Sequence, residues 1–499
     1  MSFYVTTPIY YVNAAPHLGH AYTTIAADVM ARHHRQRAED VFFLTGTDEH
    51  GEPVALAAEA AGRTPKEHAD LNAAHFEALT PRLNATNDFF IRTSDPRHVR
   101  AVQDVLQRVK DNGHVYEGEY EGWYCPRCAD FKNDTEIADG NRCPIHEIEL
   151  TREKETNWFF ALSRFQEQLE ELFAQREDFV LPTSRRNEAL AFIRSGLHDV
   201  SLSRSTLTWG VPVPWDPEQV FYVWFDALLN YVTALQFADP GEDLTERFWP
   251  ADVHIVGKDI LKFHTVYWPA LLLAAGLPVP RRVFVHGFLL GSDGRKMSKS
   301  LGNGLDPFEV MDLYGVDALR YYLLRDVAFG ADGSVSMDGV KARFEGELAN
   351  EFGNLASRTI AMVLKYRDGA VPGVDVDPAL LDAFASLPQT VADRVDALEL
   401  TPALDAIWEL VKRLNRYVEE TTPWVLAKDE ARAAELDTAL ASLVAGVRSL
   451  AVLLHPWLPE ATEKLRGALG APSTAYADAA LVAGGVTQVE KLAPLFPKQ

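Results

Sequence analysis

The chain has 499 residues, 47% of them hydrophobic, which is enough for three or four domains at about 150 residues each, and no apolar run reaches the roughly 18 residues of a membrane-crossing helix. A formal net charge of −23 excludes broad, nonspecific nucleic-acid binding, which depends on basic surface, so any RNA partner must be held by local basic patches and shape. The three clustered cysteines, Cys125, Cys128 and Cys143, exclude a disulfide scaffold and point to a reducing, cytoplasmic compartment.

Met1-Ser2-Phe3-Tyr4-Val5 has no basic segment followed by an apolar one, so it reads as a first strand and not as a signal peptide. Residues 3 to 9 alternate in β-branched and aromatic character, and Asn13-Ala14-Ala15-Pro16 breaks the strand. His17-Leu18-Gly19-His20 then opens a helical run, Ala21 to Arg32. Val41 to Leu44 forms a second strand that ends in Thr45-Gly46-Thr47-Asp48-Glu49-His50-Gly51, and a helix follows from about Pro53. Strand, helix, strand, helix predicts an α/β fold with a doubly wound, parallel, Rossmann-like sheet. Ligands bind such sheets outside the carboxyl ends of the strands, where the HLGH turn and Asp48 both fall.

From residue 114 the pattern becomes irregular, and 114–225 reads as an insertion that splits the catalytic domain into 1–113 and 226–290. Within it, Cys125-Pro126-Arg127-Cys128 and Cys143-Pro144-Ile145-His146 are separated by fourteen residues. Three thiolates and one imidazole at this spacing close a tetrahedral site around one structural zinc ion with no open position. The rival, a redox CxxC pair, lacks its strand–helix setting. Val253 to Val256 and Val283 to His286 resume the strands, and residues 291–345 carry Lys296-Met297-Ser298-Lys299-Ser300. Residues 346–499 form an α-helical bundle, with helices near 346–366, 379–398, 401–421, 430–455 and 458–469. Arg367 to Pro378 reads as an exposed connection.

HLGH and KMSKS stand about 280 residues apart, and each offers polar groups suited to ATP. A helix N-terminus supplies N–H groups and partial positive charge to phosphate. Gly19 leaves room for an adenine ring, His17 and His20 can donate to phosphate oxygens, and Lys296 and Lys299 add mobile positive charge. Breaking a phosphoanhydride is mostly positioning and charge stabilisation, so these groups suffice without a Ser or Cys nucleophile.

These motifs resemble the class I aminoacyl-tRNA synthetases. Phe3 to Asn13, Thr45 to Gly51, Phe221-Tyr222-Val223-Trp224-Phe225-Asp226-Ala227, Gly257-Lys258-Asp259 and Phe352 to Arg358 narrow the resemblance to the methionyl-tRNA synthetases, from residue 3 to at least 428. The resemblance implies ATP-dependent activation of L-methionine, with Mg2+ accompanying ATP, then transfer to initiator and elongator tRNA(Met). It implies that Gly257 and Asp259 hold the ATP ribose, with Ser298 also at ATP, and that Asp48 binds the methionine ammonium. It places Pro8, Ile9, Tyr11, Trp224, Ala227, Leu228, Tyr231, Ile260, His264 and Trp268 around the side chain. Leu228 stands where some relatives carry proline. Aromatic edges suit a polarizable thioether, and positions 260, 264 and 268 share a helical face; spacing alone favours reading these as ordinary core residues, and it is the resemblance that reverses that preference. Asn354, Arg358 and Trp424 are implied at the anticodon, where splayed bases stack on aromatics; Trp424, after Pro423, should sit between helices. Too few residues follow 470 for an OB-like tail, so a monomer without a membrane partner is expected.

Two rivals stay open on sequence alone. One is a synthetase for another hydrophobic amino acid, against which the insertion, about 110 residues, is too small for a hydrolytic editing domain. The other is a non-catalytic RNA-binding or amino-acid-sensing relative, against which both histidines and both lysines are kept.

Overall fold

The computed structural model describes residues 2–125, 130–132, 137–144, 147–295, 297 and 304–497. Two compact units divide it: residues 1–27 with 41–286, and residues 28–40 with 287–499.

The first unit is built on a six-stranded sheet in the order Phe89–Arg92, Asp40–Asp48, Ser2–Tyr11, Val253–Gly257, Arg282–His286, Val180–Leu181. Val5 pairs with Val253, Val253 with Arg282, Val283 with Val180 and Leu44 with Phe89, all in parallel. Thr7 Oγ1 meets Thr45 Oγ1 at 2.7 Å and the Val12 N–H donates to the Asp48 carbonyl, so Ser2–Tyr11 and Asp40–Asp48 also run the same way. Val253–Gly257 is buried at every position and Ser2–Tyr11 at most. That continuous burial is what a parallel sheet covered on both faces demands. The chain leaves Ser2–Tyr11 toward one side and returns on the other through Val253–Gly257, which puts the switch point between these two strands.

Two strands of this sheet escaped the sequence pattern, Phe89–Arg92 and Val180–Leu181. The latter lies within 114–225, the stretch read as insertion, and forms an edge of the main sheet beside helices Gln166–Gln175 and Thr183–Arg194. The rest of that stretch carries a separate antiparallel sheet around the long hairpin Val115–Cys125 and Thr151–Phe160. Buried Cys125 and Cys143 sit there in one small cluster with Leu150.

The second unit is mostly helical. Helices Asn354–Arg367, Leu400–Thr421, Ala433–Leu453 and Pro459–Ala468 fall where the bundle was expected, whereas the stretch 379–398 is split into Pro378–Phe384 and Leu387–Asp396, and 346–353 belongs to the π-helical segment Phe344–Gly353. Leu400–Thr421 buries Leu404, Ile407, Val411, Leu414 and Val418 at helical spacing. It packs against Ala433–Leu453, where a Cβ on Gly446 would come within 2.6 Å of Leu414, so the glycine permits the close approach. By length and composition Glu430–Leu453 could cross a membrane, but 89% of its apolar window is buried in the bundle. The connection after Arg367 is tied down: Val371 N–H donates to the Thr487 carbonyl and Val489 N–H to that of Gly369.

Candidate active site

Helix Leu18–Gln36 starts at the end of the first strand's loop, and its first turn fixes both HLGH imidazoles. The Gly19 N–H donates to His17 Nδ1 at 3.1 Å, and the His17 N–H donates to His20 Nδ1 at 3.1 Å. Each ring therefore accepts at Nδ1 and carries its proton at Nε2. The rings stack 3.7 Å apart. Burial first, and His17 second, hold His20 well below the usual imidazole range. The turn thus presents neutral N–H donors with no need of protonation. A Cβ on Gly19 would lie 3.0 Å from the His17 ring, so a larger residue there requires the ring to give by a few tenths of an ångström.

Four residues missed by sequence reading hold this turn. Tyr10 packs on His20 at 4.6 Å, and its hydroxyl meets Thr24 Oγ1 at 2.9 Å. Thr23 Oγ1 donates to the Gly19 carbonyl at 3.1 Å and lies 2.8 Å from His286 Nε2. His286 ends a sheet strand, a signal visible in the sequence but shared by any strand-terminal residue. Across the switch point, Gly257 ends its strand and Asp259, itself exposed, follows in a 3-10 turn, Lys258–Ile260. A Cβ on Gly257 would meet the Asp259 carboxylate at 2.6 Å, so glycine leaves that carboxylate its place.

Asp48 ends the neighbouring strand and is 2% exposed, and its Oδ1 has no hydrogen-bond partner. Burial, then the Asp226 carboxylate, push it well above the usual carboxylate range, and a bond from the His50 backbone opposes them. An unmatched buried carboxylate is costly, and a cationic ligand would relieve that cost.

Beside it the expected aromatic residues converge. Trp224 meets Tyr11 edge-on at 6.2 Å and stacks on Phe263 at 3.8 Å. Tyr231 Oη lies 2.8 Å from His264 Nε2, and the His264 Nδ1–H donates to the Ile260 carbonyl at 3.0 Å, so the hydroxyl donates to Nε2. Burial lowers His264 to about 4, so the ring is neutral near pH 7. Trp268 is fully buried behind Tyr231 and donates to His254 Nε2 at 3.2 Å. The segment Phe263–Tyr267 is π-helical, a widened turn that still brings His264 and Trp268 to Tyr231. Ala227 and Leu228 are buried at the end of helix Val223–Ala227, while Pro8 and Ile9 are half-buried on the first strand. Phe263 and His254 complete this cluster and carried no sequence signal beyond being aromatic.

Lys296, Ser298 and Lys299 lie outside the described residues, as do Cys128 and His146. Among the described residues no group of three or more His, Cys, Asp or Glu side chains is placed to hold a metal ion. In the helical unit Asn354 opens helix Asn354–Arg367, and the Arg358 guanidinium sits 6.0 Å from the Trp424 ring. Trp424 does not lie between helices: on the short helix Pro423–Leu426 it is 40% exposed, because Pro423 and Leu426 take the buried positions there.

The family profile "tRNA synthetases class I (M)" matches residues 3–152 and 139–360, and that of the "Anticodon binding domain of methionyl tRNA ligase" matches 370–490. A methionine–tRNA ligase of Caldanaerobacter subterraneus is 46% identical over 94% of this chain and 74% of its own length. That of Bacillus subtilis is 42% identical over 100% of this chain and 78% of its own. The crystal structure of Mycobacterium tuberculosis methionyl-tRNA synthetase bound by methionyl-adenylate superposes with a TM-score of 0.95, at 42% identity and full coverage of both chains.

Proposed function

The chain belongs to the methionyl-tRNA synthetases, a class I family whose activity is the ligation of methionine to tRNA, and from that footing we propose how its own residues carry the reaction. Asp48 receives the methionine ammonium, and Tyr11, Trp224, Tyr231, Ile260, His264 and Trp268, with Pro8, Ile9, Ala227 and Leu228, shape the side-chain pocket. His17 and His20 donate from Nε2 to the triphosphate, Gly19 lies under the adenine, and Gly257 with Asp259 takes the ribose hydroxyls. Lys296, Ser298 and Lys299 contribute from the KMSKS loop, and ATP comes with Mg2+. A methionine carboxylate oxygen forms a bond to the α-phosphorus as the bond to the bridging oxygen breaks, and pyrophosphate leaves with the electron pair. Fixed N–H donors stabilise the charge that develops on the phosphate oxygens. The 2′-hydroxyl of the terminal tRNA adenosine then attacks the methionyl carbonyl and AMP departs. Asn354, Arg358 and Trp424 read the anticodon of initiator and elongator tRNA(Met). The expected setting is cytoplasmic.

The observation that carries the amino-acid side is the buried Asp48 oxygen without a partner. Because the Asp48 pKa is raised, the empty site favours the neutral acid as pH falls, whereas the ammonium needs the carboxylate. The methionine KM in pyrophosphate–ATP exchange therefore rises as pH is lowered toward that raised value, while the ATP KM changes little. Asp48→Asn raises the methionine KM at every pH and flattens the profile. Exchange driven by another amino acid and not by methionine would overturn the reading.

For the insertion we propose one structural zinc held by Cys125, Cys128, Cys143 and His146. Its support is the burial of two of the thiols in one cluster and the C-x2-C, C-x2-H spacing. The metal would organise the knuckle and take no part in the chemistry. Purified protein is expected to carry one zinc per chain by elemental analysis, and Cys143→Ala to lose it.

A further inference from the structure

Asp226 lies between two residues of the proposed methionine wall, Trp224 and Ala227, yet its side chain turns away from solvent altogether. It is fully buried, with His50 Nδ1 at 2.6 Å from one carboxylate oxygen and His98 Nε2 at 2.8 Å from the other. Burial would raise its pKa, but the two imidazoles more than offset that and bring it down to about 2, so the group is a carboxylate and both rings donate to it. The three residues come from three elements. His50 sits in the loop that leaves Asp48, and Asp226 is on helix Val223–Ala227. His98 is on the first turn of helix Pro96–Asp111, whose start is fixed by Pro96 and by Asp95 capping the Arg97 N–H. His98 Nδ1 is in turn 2.7 Å from Thr233 Oγ1, and Thr233 follows Tyr231 by two residues. Both ring contacts of Asp226 are within charge-assisted hydrogen-bond distance, the class that resists displacement.

We propose that the buried His50–Asp226–His98 bridge is the positioning device for methionine selection, fixing the loop of Asp48 against the short helix that carries Trp224, Ala227 and Leu228. None of the three touches the substrate. They set the distance between the anchor for the ammonium and the wall for the thioether, and they do so through one carboxylate that accepts from both sides. The inference rests on the assignment of Asp48 and Trp224 to the methionine site.

The geometry supplies its own controls. An asparagine amide imitates Nδ1 of histidine and a glutamine amide imitates Nε2, so His50→Asn and His98→Gln keep the donor to Asp226, whereas His50→Leu and His98→Leu remove it. Methionine-dependent pyrophosphate–ATP exchange by the full chain is expected to show a methionine KM raised about tenfold or more in the leucine variants, the scale of one charge-assisted hydrogen bond. The ATP KM and kcat stay within about twofold, and the amide variants recover most of the loss. If a leucine variant fails to fold, Asp226→Asn gives the same reading, since its amide must face one donor with another. An unchanged methionine KM in the leucine variants and Asp226→Asn, or equal loss for both substrates with no recovery by the amides, would overturn the proposal. Asp48→Asn measured alongside separates the two levels. If it raises the methionine KM and the bridge variants do not, the bridge alone fails; if it leaves the methionine KM unchanged, the site assignment fails with it.

Discussion

His20→Ala lowers methionine-dependent pyrophosphate exchange by about two to three orders of magnitude, the range seen when a preorganised donor to a developing oxyanion is lost. The expectation follows from how the ring is held. Its Nδ1 is occupied by the His17 N–H, so Nε2–H is the free donor, and Tyr10 and Phe76 fix the plane of the ring. Methionine affinity, which the proposed site assigns to Asp48 and the aromatic cluster, should change little, so the loss falls on kcat and on ATP. His20→Gln separates charge from hydrogen bonding: because the imidazole is already neutral, an amide placed at the Nε2 position should restore part of the rate without any cationic group. Near-normal exchange by the alanine variant, with circular dichroism and melting unchanged, would remove the turn from the chemistry.

Trp424→Ala leaves pyrophosphate exchange unaltered and cuts aminoacylation of tRNA(Met) by about 10- to 100-fold, since stacking one base on an aromatic ring contributes about 1–3 kcal/mol. The ring is 40% exposed, with the Arg358 guanidinium 6.0 Å from its centre, which suits the proposed stacking. Its loss exposes no core, because Pro423 and Leu426 are the buried residues of that helix. The melting temperature should therefore hold. Equal loss of exchange and charging would show that the residue supports the fold and does not read RNA.

The contrast between Trp424 and Trp268 also shows what sequence can tell. Both are tryptophans in helical segments, and the pattern gave no way to see that one is fully buried and the other open; only the family resemblance separated their roles. The central strands of the sheet and the helices of the bundle were legible because their apolar residues recur with clear periods, whereas the long hairpin Val115–Cys125 and Thr151–Phe160 was read only as irregular. Val180–Leu181 was not legible either, since two residues carry no period at all. Asp48 could be placed at a strand end from the sequence, but that its Oδ1 is buried without a hydrogen-bond partner is a tertiary fact. So is the Asp226 bridge, whose members lie 48 and 128 residues apart along the chain and whose histidines have no recognisable spacing. The π-helical turn at Phe263–Tyr267 was likewise hidden, because a widened turn preserves the i to i+4 neighbours that a helical reading uses.

Helix Glu430–Leu453, buried along most of its apolar window, carries a consequence for biosynthesis. A nascent chain presents this segment before residues 470 to 497, whose Ala479 and Ala480 carbonyls accept from Ser449 and Arg448 of this helix, have left the ribosome. During that interval it offers chaperones, and any nearby lipid, a stretch as greasy as a membrane anchor. Truncation shortly after residue 455 should thus yield insoluble protein even though every group used for chemistry is already made.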